Sequence, residues 1–135
     1  MDIVAYSDML DGLIAYNKTV KNNYGNKIVR YPTTDTTYPH TVFQEIRNVA
    51  NENYNTCYER VSSVGYRVDI YAKTKGKIGK DEIARNIAKL CDDYLTAIGL
   101  TRVSFNINDL ENDNSIFHII MTYSGRLNEY RRKLF

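Results

Sequence analysis

The alternation of apolar and polar residues is sharpest between Val64 and Leu127, where its period changes twice and marks a strand, a helix and a hairpin. Tyr66, Val68, Ile70 and Ala72 alternate with Arg67, Asp69, Tyr71 and Lys73, the two-residue period of a strand with one buried face. From Gly79 to Gly99 the period lengthens. Ile83, Ile87, Leu90, Cys91, Tyr94, Leu95 and Ile98 recur at steps of three and four, which lines up one core-facing helical stripe. Asp81 and Glu82 fall in the first turn, where free amides favour negative charge, and Gly99 supplies the left-handed residue that closes a helix. Val103, Phe105 and Ile107 then alternate with Arg102, Ser104 and Asn106, and a turn at Asn112-Asp113-Asn114 leads into a last strand from Ile116 to Leu127.

Ahead of this unit, Ile3, Tyr6, Met9, Leu10, Leu13, Ile14 and Tyr16 predict an amphipathic helix from Asp2 to about Val20. Gly12 weakens it by about 1 kcal/mol. Asn22 to Asn26 tolerates left-handed backbone and stops the helix, and Lys27–Tyr31 reads as a short strand ended by Pro32. The Thr-rich stretch from Thr33 to Pro39 predicts an extended surface connection. Thr41–Ala50 is a strand in which Val42 and Phe43, two apolar neighbours, break strict alternation. The polar tip Asn51–Asn55 and the return through Cys57, Glu59 and Val61 predict a long hairpin, bulged at Gly65. Tyr130 to Phe135 shows no period and reads as a tail. The expected class is α+β: a single mainly antiparallel β-sheet packed against two α-helices, with strands at Lys27–Tyr31, Thr41–Ala50, Cys57–Lys73, Thr101–Leu110 and Ser115–Leu127.

At 135 residues, 43% hydrophobic and 25% charged, the chain is expected to form one domain spanning residues 1–135. A net charge of +2 carries no concentrated basic field of the kind that announces a nucleic-acid or membrane partner. Met1-Asp2-Ile3 does not open a signal peptide, and no segment approaches the ~18 apolar residues of a membrane span, so a cytosolic setting is expected. Cys91 lies on the helical stripe and Cys57 is far from it, which favours free thiols over a disulfide.

Few residues carry recognisable chemistry. His40 and His118 have no companions at metal-ligand spacing, and neither cysteine has a close partner, so neither a metal nor a cofactor is expected. A Cys57–His40 nucleophile pair is conceivable, yet nothing local activates the thiol. Asp92-Asp93 and Glu111 to Asp113 read as solvated surface. Gly76-Lys77-Ile78-Gly79-Lys80 is a basic turn opening a helix. It lacks the four-residue glycine spacing and the hydroxyl of a Walker loop. Its Gly76-Lys77-Ile78-Gly79 spacing matches the KH-domain clamp for single-stranded nucleic acid, but that clamp joins two helices and here a strand precedes it. Lys73, Lys75, Lys77 and Lys80 are therefore expected to be solvated.

Twelve tyrosines against four phenylalanines and no tryptophan are the compositional oddity. Tyr66, Tyr71, Tyr94 and Tyr123 fall on sheet and helix positions. Tyr54 in the polar tip and Tyr130 in the tail have no such place, and with Arg131, Arg132, Lys133 and Phe135 they are the candidate contacts to another chain.

The element order, the phrase Tyr38-Pro39-His40-Thr41-Val42-Phe43-Gln44-Glu45-Ile46 and the hairpin end Tyr66-Arg67-Val68-Asp69-Ile70-Tyr71 resemble the bacteriophage tail terminator, or tail completion, proteins over nearly the whole chain. The resemblance implies a non-enzymatic structural protein whose copies close into a ring, typically a hexamer, at the head-proximal end of a phage or phage-like tail. Its implied partners are itself, the tail tube protein and a neck or head-completion protein, with no cofactor. Another neck or minor tail component, and a KH-like single-strand binder, are the alternatives.

Overall fold

The stripe of the long helix finds its partner in the alternating strand before it. In a computed structural model, residues 2–20, 24–30, 38–51, 61–109, 116–128 and 133–134 are described. Helix α1 (Asp2–Thr19) leads to β1 (Lys27–Val29), β2 (His40–Asn51) and β3 (Val61–Lys73). Helix α2 (Lys80–Ala97), β4 (Thr101–Asp109), β5 (Ile116–Asn128) and the short β6 (Lys133–Leu134) follow. The sheet runs β1-β2-β3-β5-β4, with β6 on β5. Among the described residues only the β1–β2 pair is parallel. The class is the α+β arrangement with one mostly antiparallel sheet that the periodicity predicts.

Both helices lie on one face. Helix α1 reaches β1 and β2, while α2 covers β3 and β5 and only grazes β4. Ile83, Ile87, Leu90, Cys91 and Leu95 of α2 meet Val68, Ile70, Ile119 and Met121 of the sheet, all buried. Tyr66 and Phe43 stack with Tyr6 from α1 at 6.1 and 5.3 Å, and the Tyr6 hydroxyl donates to the Phe43 carbonyl. Tyr66 and Tyr123 are thus core residues, as their strand positions suggest.

Gly79 stands at the N-cap of α2, with Asp81 and Glu82 in the first turn. At the far end Gly99 takes φ 110°, its N–H donates to the Thr96 carbonyl, and the Leu100 N–H donates to the Leu95 carbonyl. This is a Schellman closure, with Leu100 as its buried apolar contact.

Two local expectations change, and one irregularity in the pattern finds its reason. The bulge sits in β2, where the register slips between Glu45 and Arg47 so that Ile46 is the extra residue, and Gly65 on β3 pairs with the Arg47 that follows it. Val42 and Phe43 break alternation because both sheet faces are buried at that point, Phe43 under the helices and Val42 on the opposite face. Lys133 and Leu134, expected in a free tail, pair with Asn128 and Leu127 of the same chain.

Candidate functional site

Because two helices span only four strands, β4 is left at the margin of the helical layer. Phe105 and Ile107, opposite Met121 and Ile119 in the register, share the face the helices cover, yet they are 37% and 43% exposed. Val103, at a second register shift between Arg102 and Ser104, is 65% exposed. The alternation that marks β4 is real, but it identifies a face and not its burial. Among the described residues, the outer edge of β4 has no strand partner.

Between α2 and β4 lies an open cavity of about 220 Å³, lined by Arg85, Ala88, Lys89, Asp92, Arg102 and Phe105. Arg85 and Lys89 are one helical turn apart, so both point from the same side of α2. Arg102 comes from the start of β4, and its guanidinium lies 5.7 Å from the centre of the Phe105 ring. Asp92 does not behave as solvated surface: it accepts the Tyr123 hydroxyl at 2.7 Å and lies 3.6 Å from Arg102. Burial, then that bond to Asp92, pushes the Tyr123 hydroxyl well above the ordinary tyrosine range. With Asp92 so engaged, the groove presents an apolar floor and a cationic rim.

The opposite sheet face carries a second polar grouping. His40, Tyr71 and His118 are direct cross-strand neighbours on β2, β3 and β5. Their rings stack at 4.8 and 4.2 Å, close to the strand spacing, so they stand upright and side by side on the sheet. Tyr38 leans on His40 at 5.1 Å, with the Lys73 ammonium 4.6 Å from the Tyr38 ring centre. Both faces of Tyr71 are occupied, so this row is no platform for stacking a base.

Below the row, His118 Nε2 lies 2.9 Å from Asp69 Oδ1, and Asp69 also receives Arg67 through two hydrogen bonds at 2.9 and 3.0 Å. Burial pushes the Asp69 carboxyl up, but the bonds from His118 and Arg67 outweigh it and hold the group below the usual carboxylate range. The bond to Asp69 in turn raises Arg67. His118 Nδ1 is 3.4 Å from the Asn108 amide, so neither ring nitrogen is left over for a substrate. The network fixes β3, β4 and β5 to one another. No group of three His, Cys, Asp or Glu residues placed to hold a metal occurs among the described residues.

Of the residues singled out by sequence, Tyr54, Tyr130, Arg131, Arg132 and Phe135 lie outside the described residues, as do Cys57 and Glu111 to Asp113. Lys133 is drawn into β6. The basic turn is a tight reversal in which Lys75 and Ile78 exchange both backbone bonds at 3.0 Å. Lys75 and Lys77 are exposed, and the turn joins a strand to a helix, unlike the KH clamp. Cys91 is buried and free, and burial pushes its thiol up to about 12. Sequence reasoning passed over the groove because its cations come from two elements; Arg85 and Lys89, four residues apart outside the apolar stripe, were the available signal. No helix among the described residues is long and apolar enough to cross a membrane. The chain matches no protein-family model and no curated protein.

Proposed function

We propose that this chain is a non-enzymatic assembly subunit that associates with copies of itself into a ring, the ring of a phage or phage-like tail terminator. One observation carries the reading: a nine-residue edge strand, β4, presents Val103, Phe105 and Ile107 to water. Soluble proteins blunt such edges with charge, proline or cover, since a long apolar edge recruits another chain. Beyond Arg102 and the irregularity at Val103 the strand keeps its apolar side chains, which suits a surface that spends its working life covered. The buried chemistry agrees with a structural part. His118 and Asp69 are spent on one another and on Asn108 and Arg67, and Cys91 is enclosed in the core.

In this reading the ring caps the head-proximal end of the tail and docks a tail tube protein on one side and a neck or head-completion protein on the other. The test is sizing of the purified protein by light scattering across a concentration series, with negative-stain imaging of the largest species. Closed rings of one defined copy number are the expected result. A monomer that persists at 100-fold dilution and at the highest soluble concentration alike overturns the assembly reading. Rings that fail to cap purified tail tubes overturn the tail assignment alone.

A further inference from the structure

We draw no further inference here: the strongest candidate, the open groove between α2 and β4 with Phe105 on its floor and Arg85, Lys89 and Arg102 on its rim, carries none because nothing in the structure shows what covers it.

Discussion

The Tyr94 hydroxyl of α2 lies 1.8 Å from the point where a Cβ on Gly12 of α1 would stand. A residue that weakens its own helix is thus the one that lets the two helices approach, with Tyr94 also resting on Tyr16 at 5.7 Å. Gly12→Ala should therefore lower stability by about 1 kcal/mol, although the same exchange in an exposed helix raises it by a similar amount. The sign should reverse in a Tyr94→Ala background, where the space is vacant. Thermal melts of the two single variants and the double variant measure the coupling, and simple additivity would show that Tyr94 yields without cost.

Asp69 is 4% exposed and joins His118 on β5 to Arg67 on its own strand. Asp69→Asn should cost about 2–4 kcal/mol at pH 6, since both partners lose a charged acceptor inside the sheet. The native carboxyl is held below its unfolded value of about 3.9, so its contribution is complete above that pH and disappears as pH falls through the lower, folded value. The gap between parent and variant should accordingly stay constant from pH 6 to about 4.5 and close below pH 4. Urea titrations at pH 6, 4 and 3 supply the three points, and a gap that is unchanged at pH 3 would mean that the charge of Asp69 is not what stabilises the sheet.

The elements were legible because their periods are local. Thr101 to Asp109 alternates whether or not anything covers it, so the strand was readable and the exposure of Phe105 and Ile107 was not. Cover depends on how many strands two helices span, a tertiary quantity. The same holds for His40, Tyr71 and His118, which are 31 and 47 residues apart in sequence and neighbours only once the β2–β3–β5 register is known. Asp92 looked solvated because its partners, Tyr123 and Arg102, come from β5 and the start of β4. Cys91 was legible in full, as its position on the α2 stripe already placed it inside.

That enclosed thiol gives a kinetic prediction. With its pKa raised to about 12 by burial, Cys91 holds almost no thiolate at pH 8. A Cys57→Ser protein, in which Cys91 is the remaining cysteine, should react with an aromatic disulfide reagent at least about 100-fold more slowly when native than in 6 M guanidinium. Rapid labelling of the native form would place Cys91 at the surface and contradict the packing of α2 on the sheet.

The exposed face of β4 offers the most direct separation of folding from assembly. Phe105 and Ile107 are the central apolar residues of an edge strand and are 37% and 43% exposed, so replacing both by lysine gives up part of their contact with the rest of the chain while the lysine stems retain some of it. The Phe105→Lys/Ile107→Lys protein should stay folded under dilute, monomeric conditions and lose about 1–3 kcal/mol, less than truncation of two fully buried side chains would cost. Assembly should respond quite differently, because a lysine pair on the edge adds the charge that natural sheets use to repel a second strand and sets it beside Arg85, Lys89 and Arg102. Loss of the large species in sedimentation, with the monomer intact, is the expected outcome. A variant that unfolds would mean that β4 is covered by this chain's own residues, and one that still forms the parental species would place the contact between copies on another surface.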